Sequence, residues 1–158
     1  MDWKLELVVI PVSDVDRAKS FYTEQVGFVA DHDHQVSDGL RFVQITPPGS
    51  ACSIAFGEGI VEGAPGSVKG LQVVVPDARA AHTELSDRGV EVSDVEELPW
   101  GTFVYFRDPD GNGWALQQLP ERGGRRRARD AWRPRQDSNL RTRLRRPMLY
   151  PLSYEGGG

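Results

Sequence analysis

Cysteine is nearly absent from this chain: Cys52 is the single one in 158 residues, which excludes an intrachain disulfide and any CxxC metal or redox motif. No apolar run reaches the roughly 18 residues that would suggest a membrane span. Charges at Asp2, Lys4, Glu6, Asp14, Asp16, Arg17 and Lys19 are unlike a secretory leader. Histidine occurs only as His32, His34 and His82. The expectation is a soluble cytoplasmic protein with no membrane partner.

Charge is distributed unevenly. Residues 121–158 hold eleven Arg against four acidic residues, a net of +7, which leaves residues 1–120 at −11. An acidic body of that size has no general attraction for nucleic acid; only the basic extension could supply one. Residues 123–146 are too poor in apolar side chains to offset the entropy of ordering, so the tail is expected to be disordered. Its run from Trp132 to Gly156 resembles a reading frame continued across a transfer-RNA gene, in which case its arginines record base composition. An arm that binds nucleic acid is the rival reading, disfavoured because composition alone equally describes disorder.

Within the body, one pattern occurs twice. A β-branched strand runs into Ser13-Asp14, a helix over 15–26 and Gly27; a second runs into Pro76-Asp77, a helix over 78–88 and Gly89. Asp14 and Asp77 stand 63 residues apart, and Gly27 and Gly89 stand 62 apart. Ser13 with Asp16, and Asp77, offer oxygens to the first unpaired helix amides, while each glycine sits where a chain leaving a helix needs a left-handed residue. Val15, Ala18, Phe21, Tyr22 and Val26 make one apolar face, and Ala78, Ala81, His82 and Leu85 the other. Further strands are expected at 28–36, 40–46 and 51–56, then at 89–94, 102–107 and 114–119. Asp108-Pro109-Asp110-Gly111-Asn112-Gly113 reads as a turn cluster, in which proline, glycine and side-chain capping account for both carboxylates.

The order β-α-β-β-β twice, the Val12-Ser13-Asp14 and Phe21-Tyr22…Gly27-Phe28 signatures, and Asp108 to Asn112 before the last strand resemble the vicinal oxygen chelate superfamily. That superfamily includes glyoxalase I, extradiol dioxygenases, methylmalonyl-CoA epimerase, fosfomycin resistance proteins and bleomycin-binding proteins. The likeness covers residues 3–120. It implies an α+β fold of two tandem βαβββ modules, 3–63 and 64–120, that form one globular unit, a curved mixed sheet with helices on its outer face, followed by the disordered tail 121–158.

The resemblance also says where metal ligands would stand. Counting back from the helix-starting acids gives Leu7 and Leu71, and counting on from Gly111 gives Ala115; the fourth position falls near Ser53. Three are aliphatic, whereas a divalent ion wants three or four His, Cys or carboxylate ligands. No cofactor is therefore expected and a divalent metal is disfavoured. His32 and His34, two apart on a strand, share a face and could together touch an ion; Asp31, Asp33 and Gln35 around them favour a solvated edge strand instead.

Strand alternation then lays Leu7, Val9, Ser53, Ala55, Leu71, Val73, Ala115 and Gln117 on one concave lining. Arg41 or Gln44, on opposite faces of one strand, adds a directional contact, and Trp100, Phe103 and Tyr105 are candidate aromatic walls. The first reading is a metal-free binder of a small apolar or aromatic molecule, similar to antibiotic-binding resistance proteins, with the site inside one chain or across a homodimer. The alternative is a metal-independent lyase, isomerase or epimerase that uses Glu96, Glu97, Tyr105 or His82 for proton transfer. Glu96 and Glu97 are expected in a solvated loop, and His82 at a packing boundary. A metal-dependent glyoxalase or dioxygenase is the third reading.

Overall fold

A computed structural model describes residues 1–121, so the expectations for the Arg-rich tail lie outside the described residues. The elements are β1 (Leu7–Val9), α1 (Val15–Ser20), a π-helical segment (Phe21–Val26), β2 (Val29–Ser37), β3 (Leu40–Thr46), β4 (Ser53–Glu58), β5 (Leu71–Val74), α2 (Ala78–Asp87), β6 (Glu96–Leu98), β7 (Gly101–Arg107) and β8 (Gly113–Gln118). They form two four-stranded sheets, ordered β1-β4-β3-β2 and β5-β8-β7-β6. In each, the first strand runs parallel to the last and the remaining pairs are antiparallel where registered. This is the expected βαβββ scheme, used twice. Among the described residues, no helix is long and apolar enough to cross a membrane.

Several local expectations hold and others shift. Asp77 accepts from the Ala80 amide at 3.1 Å, the capping role expected of it. In the first helix, Asp14 caps the Arg17 amide at 3.0 Å, so Ser13 and Asp16 are not its caps. Ser13 is instead engaged by Asp110. The single helix expected over 15–26 opens after Ser20 into a π-helical turn, and the consecutive aromatics Phe21 and Tyr22 are both buried there. Gly27 and Gly89 have the left-handed φ values of 91° and 82° that ending those helices required. The strand expected at 89–94 is reduced to one bridge, Val92 to Phe106, and β6 forms at Glu96–Leu98 where a loop was expected. Glu96 and Leu98 gain pairing with Phe103 and Gly101, and that local hydrogen bonding outweighs the low strand propensity of paired glutamates.

The chain forms two compact units. Among the described residues, the first comprises Met1–Val68 together with Arg88–Val90 and Arg107–Asn112; the second comprises Lys69–Asp87, Glu91–Phe106 and residues 113–121. In the first, α1 packs against β4. Val43, Ile45, Ile54 and Phe56 are buried on one sheet face. Tyr22 meets Phe56 and Phe28 at centroid separations of 5.8 and 6.0 Å. In the second unit, α2 packs against β8, and Trp114 stacks on Phe106 at 5.9 Å and 3°.

A polar knot closes the first unit. The Asp108 carboxylate accepts from Tyr22 Oη at 2.8 Å, from Asn112 Nδ2 at 2.8 Å, and from the backbone amides of Asp110 at 3.0 Å and Asn112 at 2.8 Å. Asn112 Nδ2 also donates to Pro11 O, and Asn112 Oδ1 accepts from Val68 N. Asp110 accepts from Ser13 Oγ at 2.5 Å and from Arg17 at 3.2 Å. Gly66 passes the same turn so closely that a Cβ there would lie 1.9 Å from Asp110 O, which only glycine permits. Both turn carboxylates are thus structural, as the sequence implied. Tyr22→Phe should lower the unfolding free energy by about 1.5–3 kcal/mol, the usual worth of a hydrogen bond to a charged group, with Asp108→Ala costing more because it strands several donors at once. Urea denaturation at neutral pH measures both; a neutral Asp108→Ala would contradict the role given to the knot.

Candidate ligand-binding faces

Each sheet has a face that carries the candidate residues. In the first, β1 and β4 pair Leu7 with Ser53 and Val9 with Ala55. Ala55 pairs with Gln44, and Gln44 with His32. Val9, Ala55, Gln44 and His32 therefore form one row across four strands, since partners in register share a face. Beside Leu7 the row is polar. Gln44 Nε2 donates to Ser53 Oγ at 3.2 Å, the Ser53 and Thr46 hydroxyls share a hydrogen bond at 2.6 Å, and Thr46 Oγ1 donates to Asp31. The bulge between Ala30 and His32 is what leaves Asp31 able to reach Thr46. Sequence reasoning missed Thr46 and Asp31, because strand alternation without the bulge assigns Asp31 to the other face.

His32 and His34 do share a face, with ring centroids 5.6 Å apart, on a strand exposed along all nine residues. Among the described residues, no group of three or more His, Cys, Asp or Glu is placed to hold a metal ion.

Arg41 is turned the other way from Gln44. It makes a two-pronged contact with Asp33, at 3.0 and 2.9 Å, and reaches Asp16 of α1 at 2.9 Å. Lys19 joins Asp33 at 2.8 Å. This guanidinium ties the edge strand β2 to the helix and has no part in the Gln44 row. The Arg41 hydrogen bonds first, and the Lys19 one second, hold the Asp33 carboxyl well below the usual carboxylate range.

The second sheet requires a correction. Its register pairs Leu71 with Trp114, Gln72 with Ala115, Val73 with Leu116 and Val74 with Gln117. Leu71 and Val73 thus share their face with Trp114 and Leu116, and not with Ala115 and Gln117 as strand alternation counted from Asp77 implied. Gln72 lies five residues before Asp77, whereas Leu7 lies seven before Asp14, so the second strand exit is shorter and a count of six back from Asp77 lands one residue off, on the opposite face. Gln72 stands where Leu71 was placed, and its Nε2 donates to Gln117 Oε1 at 2.7 Å.

On the Ala115 face, Phe103, Tyr105 and Ala115 form a buried cluster, with Leu98 and Trp100 packed against it. Phe103 and Tyr105 stack at 6.0 Å and 9°. Gln117 Nε2 donates to Trp100 O at 2.9 Å, which holds the tip of the β6–β7 hairpin. Burial pushes the Tyr105 phenol above its ordinary range, and the charge of nearby Glu96 adds to that. Glu96 and Tyr105 are the two proton-transfer candidates brought together. Glu97 alternates to the other face of β6 and pairs with Arg79 of α2, and His82 is half-buried on α2 outside the cluster. Leu7, Ser53, Gln72 and Ala115 include no carboxylate, imidazole or thiolate, so this donor set does not fit a divalent ion.

Sequence comparison agrees with this architecture. The Glyoxalase/Bleomycin resistance protein/Dioxygenase superfamily profile matches residues 4–116, and the chain belongs to that superfamily. Among solved structures it is similar to TnmS3, an antibiotic binding protein from Streptomyces sp. CB03234, at 36% identity and a TM-score of 0.69, over 75% of this chain and 98% of that one. A superfamily member from Sphaerobacter thermophilus DSM 20745 matches at 32% identity and a TM-score of 0.67, over 74% of this chain and 98% of that one. The Bacillus subtilis (strain 168) protein YetH is 27% identical over 113 residues, 70% of this chain and 94% of its own length.

The charge cluster makes a pH prediction. Because the folded Asp33 value is depressed, its stabilisation is fully present above the unfolded carboxyl value of about 4 and is lost as pH falls through the folded value. Asp33→Asn should cost about 0.5–1 kcal/mol at pH 7, a partly solvated ion pair's worth, and should flatten the decline in stability below about pH 4. Urea midpoints at pH 7, 4 and 2.5 for both proteins check it.

Proposed function

We propose that the protein binds a small, largely apolar or aromatic molecule without the help of a metal ion. The observation that carries this is the side-chain chemistry of the two sheet faces. Where metal-using members of the superfamily would need ligands, this chain has Leu7, Ser53, Gln72 and Ala115, and beside them it presents aliphatic and aromatic surface with a few oriented amides and hydroxyls. Such a lining holds a ligand by burial and orients it through a few polar contacts. The similarity to TnmS3, described as an antibiotic binding protein, supports the same reading.

A second reading is a metal-independent lyase, isomerase or epimerase. Its support is the proximity of Glu96 to Tyr105, a carboxylate base beside a phenol that stays protonated. A metal-dependent glyoxalase or dioxygenase has no comparable support, since polarising a substrate oxygen requires a bound ion and these positions supply no anionic ligand.

Thermal unfolding of the purified protein separates the metal-free readings from the metal-dependent one. A hydrophobic aromatic compound present at about a hundred times its Kd should stabilise the fold by about 2.7 kcal/mol, whereas Zn²⁺, Ni²⁺ and Mn²⁺ should leave the midpoint in place. Stabilisation by a divalent ion, with none from any apolar compound, would reverse the assignment.

A further inference from the structure

The second sheet buries a hydroxyl that no described residue satisfies. Tyr105 is 3% exposed, and its Oη makes no hydrogen bond. Glu96 stands close enough to act on the phenol through charge and a weak hydrogen-bonding approach, but the hydroxyl and carboxylate do not meet in hydrogen-bond geometry. Neighbouring polar groups on this face are already engaged: Gln117 with Trp100 O and Gln72, and Gln72 with Gln117. A buried polar group left unpaired is destabilising, and folded proteins keep few of them. One reason to keep one is a ligand that supplies the missing partner.

The surroundings restrict what that partner is. The phenol stays protonated at physiological pH, because burial and Glu96 both oppose its ionisation, so it is a standing donor. The ligand atom is therefore an acceptor. Glu96 would repel a carboxylate or phosphate there, which leaves a neutral acceptor, and a carbonyl oxygen is the strong neutral acceptor common on flat aromatic skeletons. The stacked Phe103 and Tyr105 rings favour a flat aromatic skeleton beside it. Leu98 and Trp100 pack over the cluster, so the hairpin tip that carries them must yield for the ligand to enter.

Resting on the binding function proposed above, we infer that Tyr105 is its specificity-determining residue, donating from Oη to a neutral carbonyl oxygen on a planar aromatic ligand that inserts under Leu98 and Trp100.

The test titrates 9-fluorenone and fluorene, one tricyclic skeleton with and without a ketone, against the full chain and its Tyr105→Phe variant by calorimetry. Wild type should bind fluorenone about tenfold more tightly than fluorene, and the variant should bind both with the affinity wild type shows for fluorene. The free variant should melt no lower than wild type, because the lost hydroxyl had no partner to lose. Equal affinities in wild type, a preference for the ketone that survives in the variant, or a markedly lower melting point for the variant would each overturn the inference while leaving the binding function in place. If neither compound binds wild type, the binding reading falls and this inference falls with it.

Discussion

The Asp108 carboxylate takes hydrogen bonds from a tyrosine 86 residues earlier and an asparagine four residues later, and from two backbone amides of its own turn. A buried carboxylate is tolerated only when its lone pairs are filled, and here they are filled by groups from well-separated parts of the chain. Asn112 extends the knot to Pro11 and Val68, and Asp110 extends it to Ser13 and Arg17. The turn between β7 and β8 is thereby held in the same compact unit as β1 and α1. Strand β8, which continues directly from that turn, is the partner of β5 and carries Ala115 and Gln117.

Both candidate faces follow the same physical plan by different means. In the first sheet, a ladder of neutral hydroxyl and amide contacts, Gln44 to Ser53 to Thr46, ends on Asp31 and runs beside aliphatic Leu7 and Val9. In the second, Gln72 and Gln117 play the amide part beside aromatic Phe103 and Tyr105. Neither arrangement concentrates negative charge where a cation could sit. The carboxylates that do cluster, Asp16 and Asp33, are neutralised by Arg41 and Lys19 at the edge of the first sheet and serve to hold β2.

Much of this was legible in the chain. The repeat announced two modules, Gly27 and Gly89 marked the helix ends, and the Asp-Pro-Asp-Gly-Asn turn was recognisable as a turn. These signals are local, each arising from backbone conformations that a few neighbouring side chains prefer or forbid. The Leu71 assignment failed because the interval from strand to helix differs between the modules, seven residues from Leu7 to Asp14 and five from Gln72 to Asp77, and an error of one residue was enough to exchange the faces of a strand. Asp31 was missed for the same reason, since a bulge is set by pairing with a neighbouring strand that the linear sequence does not display. Arg41 and Gln44 were known to lie on opposite faces; which one faced the helix was settled by Asp16 and Asp33.

The sequence by itself determined the fold family, the doubled module, and the lack of ionic ligands at Leu7 and Ala115, because each is a matter of residue type and spacing. Only the tertiary structure decided which residues share a face in the second sheet, that Ser13 bonds to Asp110 and does not cap its helix, and that the Tyr105 hydroxyl is buried out of hydrogen-bond geometry. Those outcomes depend on register and on contacts between distant segments. A residue's identity limits what it can bond to, while the packed chain decides which of those bonds can be made.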